Sequence, residues 1–227
     1  VLITGASDGI GKALALHAAS LGARVVLHGR TVGKLEKVYD EIEMIEGAPR
    51  PSIAVLDLAS ANSESYITLA QSIGQEFGRL DGLVLNASIQ GERYSIEQYA
   101  AVLWQRGMHV NVPSTFAPTQ VLLPLLLESD DASVVFTSSG VGRTGKAFWG
   151  AYAVSKVATE GLCQVLADEH RHGKLRANCI NPGATRTKMR LAAYPGEDRD
   201  KLKRPEEILS SYVYLLGPDS KAVTGQS

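Results

Sequence analysis

Hydrophobic and polar residues along this chain form two kinds of segment. Short runs of β-branched and other apolar residues predict buried strands, and the longer segments between them have the apolar spacing of amphipathic helices. The predicted strands span residues 1–4, 25–28, 52–56, 82–85, 134–137 and 177–180, and the predicted helices span 10–21, 32–46, 63–77, 95–127 (two helices) and 150–172. Apolar strands that alternate with helices are typical of a parallel sheet covered on both faces. The pattern therefore predicts one α/β domain over residues 1–227, a doubly wound parallel sheet of the Rossmann type.

The composition argues against several classes of partner. The sequence has 23 basic and 24 acidic residues and a formal net charge of -1 at pH 7, so neither a nucleic acid nor an anionic membrane surface is an expected partner. The longest apolar run, Val121–Leu127, is interrupted by Pro124, so no membrane span is expected. Cys163 and Cys179 are predicted to be buried thiols, because their number and separation suit neither a disulfide framework nor a zinc site. The five histidines form no ligand-spaced cluster, so no metal site is expected, and a reducing cytoplasm fits these features.

A glycine-rich turn follows the first predicted strand. Gly5, Gly9 and Gly11 have the spacing G-x-x-x-G-x-G, and a predicted helix begins within this turn. Glycines allow a tight turn and a close approach of the backbone to a pyrophosphate, and the helix N-terminus favours negative charge. The position of the turn, after the first strand of an alternating chain, favours a dinucleotide site over a plain strand-to-helix turn.

The residues after the second and third predicted strands indicate which dinucleotide binds. An NAD site usually has a carboxylate after the second strand, where it binds the ribose 2′-hydroxyl, but this chain has Arg30 there and Lys34 nearby. Both cations can bind a 2′-phosphate, so NADP(H) is favoured over NAD(H). Asp57 follows the third strand, where it suits either a contact with the adenine amino group or a helix-capping role.

Tyr152 and Lys156 lie four residues apart in a predicted helix, so their side chains share one helix face. A free tyrosine has a pKa near ~10, and a cation one turn away stabilises the phenolate and lowers that pKa toward neutrality. Considered alone, the pair is explained better by a half-buried tyrosine beside a solvated lysine. The other motifs of the chain favour catalysis.

Together these motifs resemble the short-chain dehydrogenase/reductase family over essentially the whole chain. The residues that carry the resemblance are Thr4-Gly5-x-x-x-Gly9-x-Gly11, Asp57, Asn86-Ala87, Asn111, Ser139, Tyr152-x-x-x-Lys156 and Pro182-Gly183. Further segments resemble a bacterial subgroup of oxidoreductases with no settled substrate. The resemblance implies transfer of a hydride between NADP(H) and a small carbonyl or alcohol substrate. It also implies a homodimer or homotetramer, formed through the two long helices that contain Asn111 and Tyr152.

The resemblance implies roles for individual residues. Tyr152 would donate and accept the proton, while Lys156 would lower the pKa of Tyr152 and bind the nicotinamide ribose. Ser139, in preference to Ser138, would polarise the substrate oxygen, so Ser139 and Tyr152 are the expected substrate-binding residues. Asn111 would hold a water that links Lys156 to solvent. The other expected cofactor-binding residues are Gly5, Ser7, Asp8, Gly9, Ile10, Gly11, Arg30, Asp57, Leu58, Asn86, Ala87, Pro182, Gly183, Thr185 and Thr187.

Three features depart from the family pattern. Ser88 stands where the family usually has glycine, and its Cβ would lie close to the cofactor. Pro113 and Pro118 fall in the helix expected after Asn111, where each removes a backbone donor and should kink the helix. Val223–Ser227 resembles the lead-in to the family's last strand, which is therefore expected to be missing from the sequence or not included in it.

The substrate end of the site is less clearly indicated. Residues 188–204 are polar and rich in charge, and we expect them to form an irregular, mobile flap. The candidate wall residues give mixed signals, since Phe148, Trp149 and Tyr194 favour an apolar or aromatic substrate, whereas Arg143 and Arg190 favour an anionic one.

Two alternatives to an oxidoreductase remain open at this point. The first is an NADP(H)-binding sensor without turnover, although such a sensor does not need the set of Ser139, Tyr152 and Lys156. The second is a non-redox enzyme of the same fold, an epimerase or dehydratase, although such enzymes usually have a larger C-terminal substrate region.

Overall fold

A six-stranded parallel sheet forms the centre of the protein in a computed structural model, which describes all 227 residues. The strands are β1 (Leu2–Thr4), β2 (Val26–Gly29), β3 (Ser52–Val55), β4 (Gly82–Leu85), β5 (Ala132–Thr137) and β6 (Leu175–Ile180). Their order across the sheet is β3-β2-β1-β4-β5-β6, and every neighbouring pair is parallel. The winding direction reverses between β1 and β4, which opens a crevice at the carboxyl ends of these strands. The predicted fold is confirmed.

Nine α-helices surround the sheet. They are α1 (Gly9–Ser20), α2 (Val32–Glu43), α3 (Ser63–Phe77), α4 (Ala101–Asn111), α5 (Pro113–Leu127), α6 (Gly140–Arg143), α7 (Gly150–Glu169), α8 (Lys188–Ala193) and α9 (Leu209–Leu216). One hydrophobic cluster packs α1, α2 and α9 onto the sheet and contains Leu14 and Tyr212. A second cluster packs α3, α5 and α7 onto the sheet and contains Leu122 and Phe136. Because helices bury the sheet on both faces, its strands are apolar along nearly their whole length.

Helices α4 and α5 occupy the long segment that was predicted to hold two helices. Pro113 is the first residue of α5, where its missing N–H costs no helical hydrogen bond, so the prediction that it lies inside a helix is wrong. Pro118 does lie inside α5. By length and composition alone, Ala101–Leu127 could cross a membrane. However, Leu122 and Leu126 are fully buried against the sheet, as in a core helix of a globular protein.

The flap, residues 188–204, is more regular than predicted. It begins with α8, and a parallel bridge between Thr185 and Lys203 joins the chain before it to its far end. Beyond α9, residues 225–226 form backbone hydrogen bonds with β6. The end of the chain therefore runs beside β6, as a lead-in to a strand would.

Candidate active site

A cleft of about 390 Å³ lies at the carboxyl ends of the strands. Every residue predicted to bind cofactor or act in catalysis lines this cleft, with two exceptions, Gly11 and Asn111. The chain order therefore brings the glycine turn, the ends of β2 to β5 and the start of α7 to one place, as expected for a doubly wound sheet.

The glycine turn is built for backbone contact. Gly5 and Gly9 have φ of 70° and 54°, which a residue with a side chain rarely adopts. Asp8 caps α1, because its carboxylate accepts a hydrogen bond from the N–H of Gly9 at 2.9 Å. Gly11 does not face the cleft, which corrects its predicted cofactor contact. A Cβ on Gly11 would lie 2.3 Å from the carbonyl oxygen of Gly5, so this glycine lets α1 pack against the turn.

Thr4 and Asn86 join the ends of β1 and β4 beneath the cleft. The Oγ1 of Thr4 accepts hydrogen bonds from the N–H groups of Asn86 at 2.9 Å and Ala87 at 3.0 Å. The side-chain amide of Asn86 donates to the carbonyl of Thr4 at 3.1 Å. Ser88, which replaces a family glycine, has a backbone outside the left-handed region, and its hydroxyl is buried without a partner. The strand end therefore accommodates its Cβ.

The end of the cleft beyond β2 and β3 combines a free cation with a buried imidazole. Arg30 is exposed and forms none of the protein's ion pairs. Asp57 uses one oxygen to accept the N–H of Ala59 at 3.0 Å. His28, which no motif indicated, lines the cleft with both ring nitrogens buried and unpaired, and burial lowers its pKa to about 4. The imidazole is therefore neutral at physiological pH.

Helix α7 carries Tyr152 and Lys156 into the other end of the cleft. Both side chains are buried, and the Lys156 Nζ lies 5.5 Å from the centroid of the Tyr152 ring. The Lys156 ammonium donates to the carbonyl of Thr137 at 2.8 Å. Burial lowers the pKa of Lys156 to about 8. The lysine is therefore a buried cation held at one geometry, not a solvated surface group.

Ser139, not Ser138, faces Tyr152. Both serines line the cleft, but only Ser139 is close enough to the Tyr152 hydroxyl to lower its pKa, whereas the Ser138 hydroxyl donates to Glu160 at 2.5 Å. Burial raises the pKa of Tyr152 above its ordinary value, and the Ser139 hydroxyl opposes this rise. The prediction that Lys156 brings this pKa below its ordinary value is wrong for this structure, because desolvation of the phenolate outweighs the other effects.

Asn111, at the end of α4, connects this helix to the loop after β4 and to α7, behind the cleft. Its amide accepts from the N–H of Ile89 and donates to the carbonyl of Ile89, both at 2.8 Å, and also donates to the Ser155 hydroxyl at 3.0 Å. Its side chain therefore does not face the cleft. Its main-chain carbonyl receives only long contacts, 3.4 Å, from the hydroxyls of Ser114 and Thr115. The predicted water-holding role thus falls to this carbonyl and stays a prediction.

An aromatic wall extends the cleft beyond Tyr152. The ring of Trp149 lies 5.7 Å from that of Tyr152 and 6.0 Å from that of Tyr194, measured between centroids. Trp149 lines the cleft, whereas Phe148 is 53% exposed and does not. Of the three aromatic residues that predicted an apolar substrate, only Trp149 therefore lines the cleft, and Tyr194 packs against Trp149.

The two arginines that predicted an anionic substrate are neutralised by carboxylates. Arg190 forms a two-pronged ion pair with Glu197, at 2.5 and 2.6 Å. Arg143 pairs with Glu160 at 3.4 Å, behind the cleft. Several other lining residues belong to no motif and were not predicted. Leu56, Gln90 and Asn181 lie in the segments after strands, and Arg106 and Val110 lie on α4.

Comparison with known proteins agrees with this geometry. The family model described as short chain dehydrogenase matches residues 1–198. The chain is 50% identical over all 227 residues to the uncharacterized oxidoreductase YciK of Escherichia coli K12 and covers 89% of that protein. A short chain dehydrogenase from Shigella flexneri, crystallised with NADP, superposes with a TM-score of 0.96 at 50% identity, covering 99% of this chain and 93% of the other. One from E. coli CFT073, crystallised with NADPH, also has a TM-score of 0.96 at 51% identity and the same coverage. The chain belongs to the short-chain dehydrogenase family of oxidoreductases.

Proposed function

We propose that this protein is an NADP(H)-dependent oxidoreductase that interconverts a small carbonyl compound and its alcohol. The observation that carries the proposal is the convergence of Ser139, Tyr152 and Lys156 on the same cleft as the glycine turn. Relatives at half identity were crystallised with NADP and NADPH, which supports the same cofactor here.

The residues of the cleft fit NADP(H). A side chain at Gly5 would meet the Cα of Ala87 at 3.1 Å, so the turn stays open to a pyrophosphate only with glycine. Asp8, the carboxylate of this turn, is paired with Lys188 at 2.5 Å, and the hydrogen bond from this lysine lowers the Asp8 pKa. Its negative charge is thus offset where phosphates would bind. Arg30 has no carboxylate partner and can bind a 2′-phosphate, which favours NADP(H) over NAD(H).

The mechanism assigns proton transfer to the protein. NADP(H), when bound, supplies or accepts the hydride. In reduction, Tyr152 donates its phenolic proton to the substrate oxygen, and Ser139 stabilises the negative charge that develops there. Burial holds the pKa of Tyr152 above its ordinary value, so the phenol is protonated at neutral pH, as a proton donor requires. Lys156 stabilises the phenolate that remains, because its charge is held in a buried position.

Replacing Tyr152 by Phe tests this proposal. Because the variant lacks the proton donor, we expect turnover to fall by roughly 10²–10⁴-fold, while the Kd for NADPH changes by less than about two-fold. Turnover is measured as loss of NADPH absorbance with a panel of aldehydes, ketones and quinones, with NADH in parallel, and binding is measured by NADPH fluorescence. Tyr214→Phe, at an exposed position on α9, is the matched control and should behave as wild type. Undiminished turnover in Tyr152→Phe would refute the mechanism.

We further propose that copies of this chain assemble as a homodimer or homotetramer through α4, α5 and α7. Val154, Val157 and Val165 are 43%, 54% and 54% exposed on one side of α7, and Phe116 of α5 is 49% exposed. Such apolar faces on long helices favour assembly over solvent exposure. Light scattering at micromolar concentration should give two or four copies, and a monomer would contradict the proposal.

Both cysteines are free and buried, which fits the cytoplasm as the proposed location.

A further inference from the structure

We infer that Arg93 is a positioning residue of this active site: it fixes the aromatic wall of the substrate end and holds the flap over the cleft. The effect on catalysis rests on the proposed function, whereas the effect on the flap does not. Arg93 lies in the loop that follows β4, and the flap residue to which it donates a hydrogen bond is 100 positions later in the chain.

The Arg93 guanidinium contacts two rings that also contact each other. Its central carbon is 4.8 Å from the centroid of the Trp149 ring and 5.1 Å from that of Tyr194. Its Nη1 also donates to the carbonyl of Ala193, the last residue of α8, at 2.5 Å. One side chain therefore connects three segments: the loop after β4, the residue that precedes α7 and the C-terminal end of the flap helix.

No carboxylate takes part in this connection. Arg93 forms none of the protein's ion pairs, and the nearby carboxylate of Glu197 forms its ion pair with Arg190 instead. Arg93 therefore makes two cation–π interactions and one hydrogen bond through its planar guanidinium group. A lysine keeps the positive charge but cannot reproduce the flat surface that contacts both rings at once.

The position of these contacts predicts which step depends on them. Trp149 lines the cleft next to Tyr152, so Arg93 supports the ring against which a substrate would lie. At its other end, α8 is attached separately, through the ion pair between Lys188 and Asp8 on the glycine turn. Loss of Arg93 should therefore release the substrate side of the flap and leave the cofactor side attached.

Arg93→Met is the variant that tests this role. We expect backbone hydrogen exchange in residues 188–204 to become about ten-fold faster, since two cation–π contacts and a hydrogen bond are lost. We expect the KM of the best carbonyl substrate to rise by about ten-fold with kcat changed less than about three-fold, because the wall positions substrate and takes no part in proton transfer. The Kd for NADPH should change by less than about two-fold.

Three further variants make the result specific. Arg93→Lys should change exchange and KM in the same direction as Arg93→Met, but less. Tyr194→Leu removes the ring that Arg93, Arg190 at 4.0 Å and Lys146 at 5.7 Å all contact, so its flap should exchange at least as fast as that of Arg93→Met. Arg24→Met removes a cation–π contact of 5.8 Å with Phe77, far from the cleft, and should change none of the three quantities.

The outcomes separate this inference from the proposed function. Unchanged flap exchange in both Arg93→Met and Tyr194→Leu would overturn it, and so would a flap that exchanges in the wild type as fast as an unfolded peptide. A KM that rises together with a weaker Kd for NADPH would also overturn it, because the effect would then be general loosening. If the wild type reduced no carbonyl compound, the proposed function would fail while the exchange measurements would still decide the role of Arg93.

Discussion

The two ends of the cleft differ in which atoms form their surface, main-chain atoms at one end and side-chain atoms at the other. At the cofactor end, main-chain atoms define the surface: a glycine turn lies against the end of β4, and the left-handed positions are occupied by Gly5, Gly9 and Gly183. At the substrate end, side chains define the surface: Trp149 lines the cleft, and Arg93 and Tyr194 pack against Trp149. There the left-handed position is occupied by Phe148, the only residue other than glycine with a positive φ.

This difference has a physical consequence. Main-chain atoms in van der Waals contact cannot move apart without breaking the hydrogen bonds of the strands that carry them, so one added carbon there is costly. Stacked side chains contribute small, separate energies, so a change there alters the position of a wall without unfolding it. The cofactor end should therefore respond to substitution by loss of binding, and the substrate end by altered selectivity.

Gly11→Ala should give the largest effect, because it adds one carbon to the rigid end. The new Cβ would lie 2.3 Å from the Gly5 carbonyl and 2.8 Å from the side-chain amide of Asn86. We expect the free energy of unfolding to fall by about 3 kcal/mol or more, and NADPH binding to be lost. Urea denaturation and NADPH fluorescence measure the two effects.

Gly74→Ala is the matched control for this substitution. Gly74 lies inside α3, where an added Cβ would make only ordinary contact, at 3.4 Å, with the side chain of Leu125, so alanine should be neutral or should stabilise the helix by up to about 1 kcal/mol. If Gly11→Ala bound NADPH and unfolded like the control, the contact between α1 and the turn would not be rigid.

The same difference explains how much the sequence could predict. The residues predicted to bind the cofactor line the cleft, except for Gly11, because a strand, a glycine turn and a helix are contiguous in the chain and each has its own signal. Their contacts with the cofactor stay a prediction. The motif spacing indicated that Gly11 and Asn111 are important to the site, but it contained no information on their orientation. Both residues pack behind the cleft. The contact of Arg93 with the flap could not be predicted, because neither residue belongs to a motif and 100 positions separate donor from acceptor.

Electrostatics was the least predictable property of the site. The spacing of Tyr152 and Lys156 correctly put a cation near the phenol, but it contains no information on burial. Burial changes both pKa values in the direction of the neutral form, up for the tyrosine and down for the lysine. The depth of α7 beneath the flap, a tertiary feature, therefore decides the protonation states.

Lys156→Met should give the second-largest effect, a stabilisation that depends on pH. The folded-state pKa of Lys156, about 8, is below its unfolded value of 10.5, so the unfolded state binds more protons between these pH values. The cost of the buried charge is thus complete below pH 8 and disappears as pH approaches 10.5. We expect Lys156→Met to be more stable than wild type by roughly 2 kcal/mol at pH 7, after allowance for the lost hydrogen bond to Thr137, and this advantage to shrink above pH 8 and to be lost before pH 10.5.

Urea denaturation at a series of pH values from 7 to 10.5 measures this difference. Lys37→Met, on an exposed position of α2, is the control and should change the free energy of unfolding by less than about 0.5 kcal/mol throughout. A difference between Lys156→Met and wild type that is constant with pH would mean that lost packing, not charge, separates the two proteins.

Phe148→Gly, a substitution at the substrate end, should give the smallest effect. The φ of Phe148 is 70°, in the left-handed region, which costs a residue with a side chain about 1 kcal/mol, and the side chain is 53% exposed. Glycine removes this strain but adds freedom to the unfolded chain, so we expect a net gain of about 0.5 kcal/mol. Phe148→Ala keeps the Cβ, and therefore the strain, and is the control that should show no gain. Because Phe148 does not line the cleft, the KM of the carbonyl substrate should stay unchanged in both variants. If both variants were less stable than the wild type, the side chain of Phe148 would support the aromatic wall after all, and the substrate end would be more rigid than its side chains suggest.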